Sequence, residues 1–241
     1  MATLSILSWN IFLGRGYPIS FTDQALRFAS YFFGNRINNN PKVISDYLSK
    51  INCDIIGFQE INNYQLSEIA ALTKMKNKYF SPEYKENRFL NYGNAIASHF
   101  NLEHVYTEIL PYNIEKRNVL ISQLKINKKE IVILITHFGA YPFNKNERIN
   151  QSKKIIKIID EINLPVILLA DFNSEPGSKE FNILAEKMKP LINSYTYKSF
   201  KPTKIYDNIL ISSDFIPIES KVLEFKASDH FPVYAKLKLK N

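Results

Sequence analysis

The chain has 241 residues, of which 45% are hydrophobic and 22% are charged. These fractions are ordinary for a globular protein and exclude a disordered, collagen-like or coiled-coil chain. Lysine and arginine exceed aspartate and glutamate by 31 − 23 = 8 charges. This excess favours a polyanionic partner such as nucleic acid, phosphorylated lipid headgroups or an anionic membrane. The single cysteine, Cys53, excludes a disulfide framework and a cysteine-based zinc site.

No apolar run reaches the roughly 18 residues of a membrane-spanning helix, and residues 1–5 lack the basic and apolar regions of a signal peptide. The sequence also has no internal repeat, no low-complexity linker and no break in composition. We therefore expect one catalytic domain over residues 1–241, in a cytoplasmic protein that acts as a monomer without a stable protein partner.

Short apolar runs alternate with longer helical patterns along the whole chain. Strands are predicted at residues 4–9, 54–58, 94–98, 119–126, 131–136, 165–170, 208–211 and 232–239. Helices are predicted at residues 41–51, 64–73, 146–162 and 178–188. Several strands are apolar at nearly every position, which is typical of strands covered on both faces. The polar residues 127–130 join two of them as a hairpin, so a mixed sheet system is expected.

The segment 21–33 has an aromatic pattern of its own. Its apolar residues at helical spacing are Phe21, Ala25, Phe28, Ala29, Phe32 and Phe33. The spacing favours a helix packed onto the domain. The alternative is an aromatic flap that meets a lipid or a nucleobase near the active site.

Polar residues of the types used in catalysis stand at the ends of the predicted strands. They are Asn10, Gln59, Glu60, His137, Asp171, Asn173, Asp207, Asp229 and His230. Strand ends that share one edge of a sheet are the usual place for an active site in an α/β protein, because rigid strands position the residues that loops expose.

Four of these residues are carboxylates, which would repel one another in a single cleft unless a cation neutralised them. Hard divalent cations prefer carboxylate and amide oxygens, and the sequence has no cysteine cluster and no histidine pair at helical spacing. Mg²⁺ or Mn²⁺ is therefore favoured over Zn²⁺. A metal, a carboxylate base, amide donors and two imidazoles together suit phosphoester hydrolysis.

The motifs also resemble those of the endonuclease/exonuclease/phosphatase superfamily, which includes pancreatic deoxyribonuclease, exonuclease III, neutral sphingomyelinases and inositol polyphosphate 5-phosphatases. The resemblance rests on residues 8–10, 57–60, 93–98, 136–137, 170–173, 206–212 and 228–233, in that order. It implies a four-layer α/β sandwich, in which two mixed β-sheets pack face to face with flanking helices. It also implies Mg²⁺-dependent cleavage of a phosphoester.

On the metal side, the resemblance implies that Glu60 is the principal metal ligand, that Asn10 assists it, and that Asp229 lies beside the metal. Asp171 is similar to the residue that activates or orients the attacking water. Asn173 is similar to the amide that holds the scissile phosphate.

The two histidines complete the set. His230 resembles the imidazole that contacts the phosphate, oriented and kept protonated by Asp207. A carboxylate at hydrogen-bond distance favours imidazolium, because the imidazole pKa is otherwise only about 6.5. His137 is similar to a second imidazole that stabilises charge on the phosphoryl oxygens. Asn10, Asn173 and His137 are accordingly the expected substrate contacts.

Two departures disfavour abasic-site repair: Phe12 replaces an acidic residue, and His137 stands where a catalytic tyrosine would fall. A nuclease acting on DNA or RNA is favoured by the net charge and by the lysine-rich edges 198–204 and 236–240. The alternative is a sphingomyelinase-like enzyme or an inositol-phosphate phosphatase acting on lipid headgroups, suggested by the aromatic segment. A catalytically silent binding module is a third hypothesis, disfavoured because every main motif residue is present. Arg148 and Gln151 are expected to make buried hydrogen bonds from their helix to the sheet.

Overall fold

The computed structural model describes residues 3–16, 18–32, 41–83 and 91–240, with the backbone alone for residues 27–32. The strands are β1 (Thr3–Asn10), β2 (Ile55–Ile61), β3 (Asn77–Pro82), β4 (Gly93–Ser98), β5 (Leu102–Ile109), β6 (Asn118–Ile126), β7 (Lys129–His137), β8 (Val166–Asp171), β9 (Lys189–Pro190), β10 (Asp207–Ile211), β11 (Phe215–Val222) and β12 (Val233–Leu239). The α-helices are α1 (Phe21–Phe32), α2 (Pro41–Ile51), α3 (Asn63–Leu72), α4 (Lys145–Glu161) and α5 (Lys179–Ala185). Among the described helices, none is long and apolar enough to cross a membrane.

The strands form two mixed sheets of six strands each. Sheet A has the order β11-β12-β1-β2-β4-β3, and sheet B has the order β5-β6-β7-β8-β10-β9. Each sheet contains one parallel pair near its centre, β1 with β2 and β7 with β8. The other paired neighbours are antiparallel. The predicted mixed sheet system is therefore confirmed.

The two sheets pack face to face, and helices cover their outer faces. Ile133 and Ile135 of β7 point into the core between the sheets, whereas Val132 and Leu134 pack in the cluster that contains α4 and α5. Helices α2 and α3 cover sheet A in the same way. The four-layer sandwich is thus confirmed. It explains the continuous apolar runs, because each fully buried aliphatic side chain contributes about 1.5–3 kcal/mol on either face of the strand.

All eight predicted strands and all four predicted helices are present, with their ends shifted by a few residues. The predicted hairpin joins β6 and β7 through Asn127 and Lys128, whose φ angles of 47° and 71° suit a two-residue turn. The sequence analysis missed β3, β5, β9 and β11, and these are the outermost strands of the two sheets. An edge strand has only part of its surface covered, so it lacks the continuous apolar run on which the predictions relied.

The aromatic segment forms helix α1, as its spacing predicted. Phe33 lies outside the described residues, as do the side chains of Phe28, Ala29 and Phe32. Phe21 packs edge to face on Phe200, with ring centroids 5.2 Å apart, yet it remains 61% exposed. The first turn of α1 therefore contacts the rest of the protein while it keeps an aromatic surface open.

Candidate active site

The two parallel strand pairs end at one edge of the sandwich and bring four polar side chains together. Asn10 ends β1, Glu60 lies near the end of β2, and His137 and Asp171 end β7 and β8. The side-chain nitrogen of Asn10 lies 2.9 Å from Oδ2 of Asp171 and 3.3 Å from Oε1 of Glu60. Asn10 thus joins the functional ends of the two sheets, as the pattern of strand ends predicted.

The backbone at Glu60 is unusual for this residue type. Glu60 has φ of 49°, in the left-handed region, and the pairing of β2 with β4 is irregular between Phe58 and Ile61. This conformation costs of order 1–3 kcal/mol in a residue other than glycine, and such residues cluster at functional sites. A bulge redirects a side chain out of the strand's regular alternation. The half-buried carboxylate of Glu60 can therefore reach Asn10 across the open edge.

His230 is a buried imidazole held by two carboxylates. Its Nδ1 lies 2.8 Å from Oδ2 of Asp207, and its Nε2 lies 3.6 Å from Oδ2 of Asp171. Asp207 and Asp171 face each other in the register of β10 and β8, which fixes the spacing of the two acids. Burial favours the neutral ring, but the carboxylates of Asp207 and Asp171 outweigh it and raise the pKa of His230 well above 6.5. His230 is therefore an imidazolium at neutral pH.

His137 is equally buried, but its Nδ1 faces a positively charged hydrogen-bond donor. Its Nδ1 lies 2.9 Å from a guanidinium nitrogen of Arg117, and its Nε2 lies 3.0 Å from the amide nitrogen of Asn173. Burial, followed by the positive charges of Arg117 and His230, holds the pKa of His137 well below 6.5. His137 is therefore a neutral imidazole at neutral pH.

The sequence analysis missed the network behind His137. Arg117 is buried and donates to Glu83 at 2.6 Å and to Glu115 at 2.9 Å. The hairpin register could have indicated Arg117, because Val119 pairs with Thr136 and residue 117 therefore stands near the end of β7. Glu115 lies two residues before Arg117, but Glu83 is distant from it in the sequence, and only the tertiary structure reveals that contact.

Two carboxylates of the site, Asp171 and Asp229, lie in a buried, acidic environment. Burial is the main cause that raises the pKa of Asp171 to about 7, and Asp207 adds to it. Burial likewise raises the pKa of Asp229 to about 6, and Glu60 adds to it. Such crowding is the condition that a divalent cation relieves, and carboxylate and amide oxygens suit Mg²⁺ or Mn²⁺. The carboxylates of Glu60 and Asp229 are of the type that a hard cation prefers, whereas Asn10 turns its side-chain nitrogen toward Glu60 and its oxygen toward the amide of Phe12.

A second group of possible ligands lies alongside. Potential ligand atoms of Asp171, Asp207 and His230 lie within 4.8 Å of one another. Two members of this group, His230 and Asp207, already contact each other at 2.8 Å. Helix α1 also reaches the site, because the amide of Gln24 donates a hydrogen bond to Asp229.

The structure brings the predicted residues to one edge of the molecule. They are Asn10, Glu60, His137, Asp171, Asn173, Asp207, Asp229 and His230. Gln59 instead points away from this group, with its amide donating to Ser8. The predicted buried bonds of α4 are present, but they reach the loop after β7. Arg148 donates to the carbonyls of Gly139 and Tyr141, and Gln151 accepts from the amide of Gly139.

Two of three comparisons with known proteins give a match, and both agree with this architecture. The model of the Endonuclease/Exonuclease/phosphatase family matches residues 7–230. A comparison with curated proteins gives no significant match.

Similar solved structures include an endonuclease/exonuclease/phosphatase of Bacteroides vulgatus, with a TM-score of 0.80, 17% identity and 100% of both chains covered. The human Nocturnin catalytic domain has a TM-score of 0.77 at 16% identity, over 99% of this chain and 94% of that chain. A mannosyl-6-phosphatase of Bacteroides thetaiotaomicron has a TM-score of 0.75 at 17% identity, over 98% of this chain and 100% of that chain. At these identities the likeness establishes the fold.

Proposed function

Because the chain belongs to the endonuclease/exonuclease/phosphatase family, whose members are generally phosphoester hydrolases, we propose that it is a Mg²⁺-dependent phosphodiesterase that cleaves DNA or RNA. The observation that carries this proposal is the continuous set of contacts from Glu60 through Asn10 and Asp171 to His230 and Asp207. This set of contacts supports the proposal because it joins an acidic side, suited to a cation, to a cationic side, suited to an anion, in one buried cluster.

The metal side of the site is formed by Glu60, Asn10 and Asp229. A divalent ion held there would neutralise phosphoryl charge and lower the pKa of a bound water. Glu60 is the partly exposed member of the set, so it stands where an ion enters from solvent. Asn10 could bind the ion only through its side-chain oxygen, which also accepts from the amide of Phe12 at 2.9 Å, because its side-chain nitrogen faces Glu60.

Asp171 is the proposed general base for the attacking water. Its Oδ2 faces Asn10, His137 and His230 at 2.9, 3.5 and 3.6 Å. Its Oδ1 accepts the backbone amide of Asn173 at 3.0 Å, so the carboxylate is fixed in orientation. Burial raises its pKa to about 7, close to the value at which a base works best at neutral pH.

The anion side consists of His230, Asn173 and His137. The charged ring of His230 can donate from Nε2 to a phosphoryl oxygen or protonate the leaving oxygen, while Asp207 holds Nδ1. Asn173 lies beside His137, and its side-chain amide donates to the carbonyl of Phe138 at 3.1 Å, which fixes it next to that ring. The neutral His137 would orient the phosphoryl group without adding charge.

Nucleic acid is the favoured substrate because the chain carries eight excess positive charges while the catalytic cluster itself is acidic. The excess therefore lies elsewhere, where it can attract a polyanion. A lipid headgroup or an inositol phosphate remains the alternative. The similarity to a mannosyl-6-phosphatase adds a sugar monophosphate to the substrates that deserve testing.

The test is a substrate panel in Mg²⁺, Mn²⁺ and EDTA. We expect single-stranded or duplex DNA or RNA to be cleaved with Mg²⁺, and cleavage to be lost in EDTA and in Asp171→Ala or His230→Ala. Asp214→Ala, an exposed position after β10, is the matched control. Intact nucleic acid together with hydrolysis of sphingomyelin, inositol polyphosphate or mannose 6-phosphate would overturn the nuclease proposal. No turnover on any substrate would favour a binding module.

A further inference from the structure

The loop after β7 exposes two aromatic rings next to the candidate active site. Tyr141 is 48% exposed and Phe143 is 68% exposed, although both are large and apolar. Their rings are nearly parallel, with an interplanar angle of 7° and centroids 5.1 Å apart. We call these two residues the aromatic pair. Each ring has two faces, and stacking covers only the face that each ring turns toward the other. An outer face therefore remains for another planar group.

The loop that carries the aromatic pair is held by buried or partly buried charged groups. A carboxylate oxygen of Glu115 accepts the amides of Ala140 and Tyr141 at 2.6 and 3.3 Å. The same oxygen accepts the side chain of Asn144 at 2.8 Å. From the other side, the guanidinium of Arg148 donates to the carbonyls of Gly139 and Tyr141 at 3.0 Å each.

These contacts link the loop to the catalytic groups. Glu115 also binds Arg117, which contacts His137, and the carbonyl of Phe138 accepts the amide of Asn173. Tyr141 follows His137 by four residues, so their Cα atoms lie at most about 14 Å apart. The aromatic pair is therefore within reach of a nucleotide neighbouring the one whose phosphate would be cleaved.

We infer that the aromatic pair is a stacking site for an unpaired nucleobase next to the scissile phosphate. The inference rests on the proposed nuclease function and sharpens it toward a single-stranded substrate or a frayed end. A planar base can continue a stack of parallel rings, whereas a base inside a duplex already has its two faces covered. Because the loop is held before the substrate arrives, less ordering is required on binding.

The inference is tested by removing single bases from a fluorescent single-stranded oligonucleotide. Each position in turn carries a tetrahydrofuran residue in place of its nucleoside, and binding is measured by anisotropy with the Asp171→Asn protein, which blocks cleavage. We expect one position near the scissile phosphate at which loss of the base weakens binding about tenfold. In the triple variant that adds Tyr141→Ala and Phe143→Ala, that position should no longer matter.

Two control proteins separate stacking from general effects. Tyr64→Ala removes an aromatic ring of α3 that is also 68% exposed and should leave the position dependence intact. The exchange Tyr141→Phe with Phe143→Tyr keeps both rings and should keep the position dependence. Circular dichroism and thermal unfolding establish that each variant folds.

The outcomes distinguish this inference from the proposed function. If the oligonucleotide is bound and wild-type protein cleaves it, but no single base matters, the stacking site is wrong and the nuclease proposal stands. If no oligonucleotide is bound or cleaved, both fall. If the alanine variant instead loses binding to vesicles of phosphatidylserine and phosphatidylcholine, with oligonucleotide binding unchanged, the aromatic pair is a membrane contact and the inference is overturned.

Discussion

His137 and His230 are two buried imidazoles at the same edge of the sandwich, and their pKa values are shifted in opposite directions. The Nδ1 of His230 faces the carboxylate of Asp207, whereas the Nδ1 of His137 faces the guanidinium of Arg117. The pKa of His230 is raised well above 6.5, and that of His137 is lowered well below it. Burial favours the neutral form of both rings, so the sign of the neighbouring charge decides the difference.

The two protonation states suit the two rings to different chemical roles. A charged ring can bind or protonate an anionic oxygen, and a neutral ring can orient it without adding charge. Each partner is also fixed independently of its ring: Asp207 by its pairing with β8, and Arg117 by Glu83 and Glu115. The different protonation states of the two rings are therefore set by Asp207 and Arg117, the side chains that contact their Nδ1 atoms.

The largest effect is expected from Asp207→Asn. Without the carboxylate, His230 loses the main support for its proton, and kcat/KM should fall by about 10²–10⁴-fold. The measurement is steady-state hydrolysis of the best substrate from the panel, with Asp214→Asn as the exposed control. A rate within threefold of wild type would show that the charge of His230 does not contribute to catalysis.

Arg117→Met tests the other ring and should act first on stability. The change leaves Glu83 buried without its guanidinium partner, and breaking a buried ion pair costs about 3–5 kcal/mol of unfolding free energy. Burial already raises the pKa of Glu83 to about 7, so proton uptake should soften this loss in acid. Urea denaturation measures this loss of unfolding free energy.

The double variant Arg117→Met/Glu83→Gln is the control for Arg117→Met, because it removes the buried charge and should recover part of the stability. Equal stability of wild type and Arg117→Met would contradict the stabilising role of the buried ion pair between Arg117 and Glu83.

The pH dependence of stability should have opposite signs at the two rings. The folded-state pKa of His230 is raised, so its contribution is present in full below about pH 6.5 and is lost as the pH rises through the folded value. The folded-state pKa of His137 is lowered, so the unfolded chain takes up a proton that the folded chain does not, and stability falls as the pH drops below about 6.5.

Urea denaturation between pH 5 and 8 checks this prediction with His230→Gln and His137→Gln. The stability of wild type relative to His230→Gln should decrease as the pH rises. Its stability relative to His137→Gln should increase over the same range. Ring-nitrogen NMR shifts provide an independent measurement of both protonation states, and the same slope for the two variants would refute the comparison.

The sequence predicted His137 and His230 but not the difference between them. Their place at strand ends follows from local pattern, since buried strands are read from apolar runs and the next polar residue marks the edge. Asp207 was also predicted as the partner of His230, through the motif in which it occurs. The neutral state of His137 depends on burial and on Arg117, whose position follows from hairpin register, from the neighbouring Glu115 and from the distant Glu83.

The fold shows the same division between local and distant information. The interior strands were predicted because both of their faces are covered, whereas the edge strands β3, β5, β9 and β11 carry mixed patterns that local periodicity does not resolve. The left-handed backbone of Glu60 and the bond from Gln24 to Asp229 are equally invisible to periodicity. Each depends on how separate elements meet at the site.

The smallest effect on activity is expected at Cys53, a buried thiol whose pKa is not lowered by a neighbouring positive charge. Burial, with a smaller contribution from the charge of Asp54, raises the pKa of the Cys53 thiol to about 12. The folded protein should therefore not react with iodoacetamide at pH 8, and the thiol should react readily in urea because thiolate is the nucleophile. Mass spectrometry of the alkylated protein measures this reaction.

Cys53→Ala should change activity by less than twofold, because the thiol packs among apolar residues such as Ile56 under α2 and α3. Rapid alkylation of the folded protein would mean that burial suppresses ionisation of the Cys53 thiol less than expected.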